Sequence, residues 1–168
     1  MELMQPVTVA IADINRDRRT EYECILKAEQ GITLLTNVTS DIEAENDSEF
    51  VNRRLESRVD ISAVQDEVAR IKRLNPLVVL VNLNQSTDED YALLLSMRRE
   101  CPKALVVLLA DDSIHESQII QALELGVRGY LKYDSAQIYL PKAVQIVGRG
   151  EAWVPRKILG NIMDRVLN

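Results

Sequence analysis

Residues 77–81, Leu-Val-Val-Leu-Val, follow Asn75-Pro76 and run into Asn82. Successive side chains of a strand point to opposite faces of its sheet, so five unbroken aliphatics require cover on both faces. That is the environment of a central strand in a parallel sheet with helices above and below. The polar Asn82 then stands at the C-terminal end of the central strand, where open α/β sheets bind ligands.

The rest of the chain supplies the neighbours such a strand needs. Val7 to Ala12 is an apolar run of strand length closing on Asp13, and from Asn15 to Gln30 the period becomes helical, with Tyr22, Ile25 and Leu26 on one face and Gly31 as a stop. Ile32 to Leu35 predicts a short second strand. Helical spacing resumes at Ser62, where Ser62-Ala63-Val64-Gln65 has the form of a capping box and Val64, Val68 and Ile71 recur at i, i+4 and i+7. A further helix is expected over Asp88 to Arg99 with Leu93, Leu94 and Met97 inward, then a strand over Leu105 to Ala110. Ser113 with Glu116 predicts the cap of the next helix, with Ile119, Ile120 and Leu123 on its core face and Gly126 past its end. Gly129-Tyr130-Leu131 reads as the fifth strand, and Asp134 with Gln137 as the cap of the fifth helix, ended by Gly148 and Gly150. Pro141 lies about two turns into that helix and predicts a kink or a late start, since proline removes a backbone donor and crowds the preceding turn.

Two segments stand outside this alternation. Residues 41–61 carry seven acids and three arginines, read as an exposed charged insertion after the second strand. A calcium loop is a poor fit, because Asn46 and Asn52 stand where that spacing wants Gly and Glu. At the other end, residues 151–168 form a linker helix after the body of 1–150. Pro155 is expected in its first turn, and Ile158, Leu159, Ile162, Met163 and Val166 form an apolar stripe.

Composition narrows function by exclusion. A net charge of −6 argues against a nucleic-acid surface on this chain, because phosphate binding needs clustered Lys and Arg. Cys24, Cys101 and His115 are the only residues of their types, with no C-x-x-C, so no disulfide framework or zinc site is expected. No apolar run approaches ~18 residues and no signal-like start is present, so a membrane span is not expected and the cytoplasm is the expected location. No nucleophile with a base beside it marks an enzyme, and no cofactor motif is found. In particular, Ile14-Asn15-Arg16-Asp17 follows the first strand where a Gly-rich phosphate loop would stand.

Five strands, each followed by an amphipathic helix, predict an α/β doubly wound five-stranded parallel sheet, since parallel neighbours need right-handed helical crossovers. The flavodoxin-like order 2-1-3-4-5 brings the ends of strands 1, 3 and 4 together, and with them Asp13, Asn82 and Leu109.

Ala-Ile-Ala-Asp-Ile-Asn, Pro-Leu-Val-Val-Leu-Val-Asn-Leu-Asn, Leu-Val-Val-Leu-Leu-Ala-Asp and Ala-Leu-Glu-Leu-Gly-Val-Arg-Gly-Tyr-Leu-Lys-Tyr-Asp resemble the framework of a response-regulator receiver domain, of CheY-like fold. The closing Gly-Arg-Gly-Glu-Ala-Trp-Val-Pro resembles the receivers of NarL/LuxR-type transcription regulators. The resemblance implies a site where two adjacent acids hold Mg²⁺, an Asp is phosphorylated, and a Thr/Ser, an aromatic residue and a Lys transmit the change. Onto those places fall Asp13 and Ile14, Asn82, Leu109, Tyr130, and Tyr133 with Lys132 one residue early. Only Asp13 and the switch aromatic Tyr130 keep the pattern. An amide nitrogen is not a nucleophile toward phosphorus at neutral pH, and Mg²⁺ wants carboxylate oxygens. The site is therefore expected to be a degenerate one, with Asp13 paired to loop N–H groups, Lys132 or Arg16, and with Ile14 and Leu109 as core filling.

The expected function is that of a non-phosphorylatable pseudo-receiver, a signalling and dimerisation module serving as the N-terminal regulatory part of a LuxR-type transcription regulator. A stand-alone adaptor and a flavodoxin-like small-molecule sensor are the alternatives. A homodimer is expected through the first and fifth helices at Tyr22, Tyr139 and Ile146, with a protein partner as a further expectation and DNA reached only through a domain outside this chain.

Overall fold

The computed structural model describes residues 6–12, 16–36, 61–83, 88–111 and 114–167. Five strands, β1 (Val7–Ala12), β2 (Ile32–Leu34), β3 (Val78–Leu83), β4 (Leu105–Ala110) and β5 (Gly129–Lys132), form one parallel sheet in the order β2-β1-β3-β4-β5. The helices are α1 (Arg16–Lys27), α2 (Ile61–Leu74), α3 (Asp88–Glu100), α4 (Glu116–Glu124), α5 (Tyr133–Gly148) and α6 (Arg156–Leu167). This is the doubly wound order expected from the alternation of runs.

The aliphatic run behaves as its composition requires. Val78, Val79, Leu80 and Val81 are all fully buried, with Val79 and Val81 in one core layer and Val78 and Leu80 in the other. The first layer lies under α2, α3 and α4, where Val68, Ile71, Leu93, Met97 and Ile120 meet the sheet. The second lies under α1 and α5, filled by Leu26, Leu140, Val144 and Val147 against Val9, Leu80 and Val107. Truncating a side chain such as Leu80 to alanine would open a cavity between tightly packed layers, at roughly 2–5 kcal/mol.

Several helix ends differ from expectation. Ser62 lies inside α2 rather than capping it. The cap of α4 is His115, whose N–H donates to Oε1 of Gln118 at 3.0 Å, so the reciprocal contact of a capping box comes two residues later than the Ser113–Glu116 pair suggested. Ser113 itself lies outside the described residues. At α5 the helix follows β5 with no loop between them, so Lys132 is the cap and Asp134 sits in the first turn, where a carboxylate favours the positive end of the helix dipole. Helix α5 also neither starts late nor is interrupted at Pro141, and runs sixteen residues as one element. Pro155 precedes α6, and its carbonyl accepts from the N–H of Ile158 and of Leu159. Asn75, at φ +50°, ends α2 as the Asn75-Pro76 pair implied. Residues 41–60, nearly all of the charged insertion, lie outside the described residues.

After α5 the chain turns at Gly150, at φ +94°, and runs back along the edge of the sheet. Trp153 pairs in parallel with Gly129: its N–H donates to Arg128 O at 3.0 Å, and its own carbonyl accepts from Tyr130 N–H at 2.8 Å. The open side of β5 is thereby hydrogen-bonded by a strap leading into α6, which blunts an edge that would otherwise invite pairing. Helix α6 then packs on α4, with Ile158 buried in the first layer and ion pairs from Lys157 to Glu116 (3.9 Å) and from Arg165 to Glu124 (2.8 Å).

Among the described residues no helix is long and apolar enough to cross a membrane. Cys24 is exposed on α1 and Cys101 is half-buried just past α3, on opposite faces of the sheet. Burial pushes the Cys101 thiol up, only partly offset by Lys72. The thiolate is the reactive form, so Cys24 should be alkylated first by iodoacetamide near pH 8. Labelling of Cys101 ahead of Cys24, read by peptide mass, would contradict that placement.

Candidate functional site

The register of the sheet assembles the site. Asn82 on β3 is the direct partner of Leu109 on β4, and Leu109 that of Leu131 on β5. On the other side Val81 pairs with Ala12, the last residue of β1. The C-terminal ends of β1, β3 and β4 converge as the topology required. Asp13 and Ile14 lie outside the described residues.

Among the described residues, the direct sheet partner of Asn82 is the apolar Leu109. Asn82 is 1% exposed and sits on the α1/α5 side of the sheet, since side chains alternate and Val78 and Leu80 face that way. Leu109, in the same layer, is fully buried and offers no hydroxyl. Tyr133 opens α5 and packs half-buried on that layer, its ring 6.2 Å from that of Tyr22 on α1. Lys132, one residue earlier, is exposed at the end of β5. Where a receiver of the resembling type has a carboxylate, a hydroxyl and an ammonium, these positions hold a buried amide, an isobutyl group and a phenol. Such a set can accept and donate hydrogen bonds but supplies neither a carboxylate nucleophile at Asn82 nor a hydroxyl at Leu109.

Tyr130 is 4% exposed and packs in the first layer with Ala110, Ile114 and Ile158, while its backbone N–H is held by the strap. Its ring is thus part of the α4/α6 packing.

Tyr22 is 4% exposed in the second layer, so it offers a partner almost no surface. It lies four residues before the fully buried Leu26, on the stripe α1 turns toward the sheet. Tyr139 is 44% exposed and lies against Trp153, ring centroids 6.2 Å apart; Ile146, two turns on and half-buried, shares that flank. The α5 flank toward β1 and β2 is the other one, where Gln145 approaches Gly31 and Gly148 approaches Val7. Tyr139 and Ile146 therefore border the β5 edge rather than α1. Ile138, 72% exposed, is the most open apolar residue of α5 and was not singled out by the helical stripe.

Sequence periodicity also missed a charged cluster below the end of β1. Strand β2 stops at Leu34, so among the described residues the carbonyl of Ile11, which points the same way as the β2-bonded carbonyl of Val9, has no strand partner. The guanidinium of Arg70 on α2 donates to that carbonyl and to Glu67, 9% exposed, which also meets Arg19 of α1 at 3.5 Å. The only trace in the sequence is the i, i+3 spacing of Glu67 and Arg70 on the helix. Grooves open at the opposite end of the sheet; one of about 340 Å³ is lined by Ile71, Pro76, Cys101 and Ala104.

This is the receiver fold of response regulators. The relatives found by comparison agree. The chain is 27% identical over 101 residues to the transcriptional regulatory protein DegU of Brevibacillus brevis, which spans 59% of this chain and 42% of DegU, so the chain covers less than half of that relative. A LuxR-family two-component response regulator from Aurantimonas sp. SI85-9A1 superposes with a TM-score of 0.68 at 12% identity, covering 98% of this chain and all of the other. The isolated receiver domain of RcsB from Salmonella enterica serovar Typhimurium gives 0.59 at 16% identity, over 94% and 98% of the two chains, and RcsB is also known in complex with DNA. No protein-family model matches the chain.

Proposed function

We propose that this chain is a receiver-type signalling domain that does not accept a phosphoryl group, and that it regulates transcription as part of a LuxR-type regulator. The observation that carries the reading is Asn82: a buried amide at the end of the central strand, paired in register with Leu109, in the fold whose phosphorylated carboxylate stands at that place. A signal then reaches the domain through protein contacts in the cytoplasm instead of acyl phosphate chemistry. DNA contact belongs to a domain outside these residues, as the −6 charge favours. Incubation with acetyl phosphate and Mg²⁺ should leave the intact mass unchanged. A base-labile gain of one phosphoryl group would sink the reading.

Homodimerisation is the second part of the proposal. The exposed apolar residues of α5, Ile138 and Tyr139, with the half-buried Ile146 beside them, form the surface offered. Tyr22 contributes from beneath, by setting α1 on the sheet. Sedimentation at tens of micromolar should show a dimer that Ile146→Glu or Tyr139→Glu converts to a folded monomer with unchanged circular dichroism. Unaltered dimerisation of both variants would place the contact elsewhere.

A further inference from the structure

Two grooves open side by side at the N-terminal ends of β3, β4 and β5. The first, of about 340 Å³, lies between the end of α2 and residues 101–104; the second, of about 200 Å³, lies between those residues, α3 and the turn after α4. Cys101, Pro102 and Ala104 are their common wall. Ile71 and Pro76 give the first an apolar lining, and Leu94, Val106 and Val127 do the same for the second. Burial pushes the Cys101 thiol up, so the shared wall carries no charge near neutral pH.

The rims of these grooves carry one sign of charge. Lys72, Arg98 and Lys103 line them, and Arg73, Arg99 and Arg128 each adjoin a lining residue in the chain. Glu100 is the one acid among the lining residues, and Lys72 at 3.7 Å and Arg99 at 3.4 Å already answer it. Arg98, Lys103 and Arg128 are exposed and have no ion pair among the described residues. The helix dipole accounts for Lys72, Arg73, Arg98 and Arg99, which stand in the last turns of α2 and α3. It does not account for Lys103 and Arg128, on the loops before β4 and β5. Cations are thus gathered around apolar grooves in a chain whose net charge is −6, and the complement of such a face brings acids and apolar groups together. A free phosphate chain would use the cations and leave the apolar lining bare. A nucleic acid would want aromatic faces to stack on, and neither groove is lined by one.

We propose that this face is a docking surface for an acidic peptide segment of a partner protein, whose apolar side chains enter the two grooves while its carboxylates meet Lys72, Arg98 and Lys103. The Lys72–Glu100 pair is exposed at both ends, 65% and 42%, so it yields readily to an incoming carboxylate. The face lies at the end of the sheet opposite Asn82, so the proposal stands whether or not that site takes a phosphoryl group. It is also apart from the exposed flank of α5.

The test is fluorescence anisotropy of the full chain at low salt with a fluorescein-labelled peptide that alternates leucine with glutamate. Binding with a Kd on the order of 100 µM is expected. Arg98→Glu and Lys103→Glu should each weaken it about tenfold with the melting temperature unchanged, because both side chains are exposed and unpaired among the described residues. Lys142→Glu, an equal change of charge on the exposed side of α5, should leave the affinity within about twofold. Replacing every leucine of the peptide by serine keeps its charge and should also cost about tenfold. No binding at millimolar peptide, indifference to Arg98→Glu and Lys103→Glu, or an equal loss in Lys142→Glu would each overturn the proposal. Equal affinity for the serine peptide, or full displacement of the leucine peptide by polyphosphate or single-stranded DNA of matched charge, would overturn it in favour of a face for free polyanions.

Discussion

Arg70→Met should lower the stability of the domain by roughly 2–4 kcal/mol, more than the loss of a surface arginine could, because two buried groups each lose a partner together. The guanidinium of Arg70 satisfies the carbonyl of Ile11, which β2 is too short to reach, and neutralises a Glu67 carboxylate that is 9% exposed. Methionine keeps much of the volume and removes both interactions. Arg19, which stands 3.5 Å from Glu67, is itself partly exposed, so it recovers only part of the loss. Glu67→Met in the same background should return part of the stability, because a buried carboxylate that has lost one of its cations costs more than an apolar side chain of similar size. Urea midpoints at constant m would show this as strong non-additivity. Purely additive losses, or a change under 1 kcal/mol for Arg70→Met, would mean that solvent screens the cluster and that it holds little of the fold.

The second large effect is an all-or-none one at Asn82. Asn82→Asp restores a carboxylate at the end of β3, yet should remain unlabelled by acetyl phosphate and Mg²⁺. The new carboxylate would be opposite Leu109, which presents no hydroxyl, beside a Tyr133 ring packed on Tyr22, with Ile14 in place of the second metal-binding acid. It would also be nearly buried, so desolvation raises its folded pKa above the unfolded value near 3.9. The sign follows: the unfolded carboxyl ionises first as pH rises, and the variant loses stability relative to the parent from about pH 4 upward until the folded group has also ionised. Combining Ile14→Asp, Asn82→Asp, Leu109→Thr and Tyr133→Lys should permit Mg²⁺-dependent labelling. Labelling of the Asn82→Asp variant alone would show that the auxiliary positions matter less than their chemistry suggests.

The order of the sheet, and the meeting of Asn82 with Leu109, follow from local patterns. Runs of aliphatics at 78–81 and 105–110 have one stable placement, in the middle of a parallel sheet, and a right-handed crossover rule leaves few ways to wind five such units. The pairing of Asn82 with Leu109 was legible for the same reason, since register fixes which residues end adjacent strands. Helix caps were less so, because Ser, Asp and His can all close an N-terminus and the choice depends on where the preceding strand delivers the chain. Asp134 lost the cap to Lys132 when β5 ran straight into α5. Pro141 failed to break its helix because the tertiary packing of Leu140, Ala143 and Val144 holds both sides of it on the sheet.

Amphipathic spacing told which residues of α1, α5 and α6 are apolar, but only packing decided which of them are covered. Tyr22 is taken by Tyr133, Tyr139 leans on a tryptophan fourteen residues later, and one stripe of α6 is used while the next stands open. The Arg19–Glu67–Arg70 cluster belongs wholly to the tertiary structure. Its three charges come from helices on opposite faces of the sheet and meet beside the Ile11 carbonyl, a backbone acceptor whose place is set by the sheet and by no residue of the cluster itself.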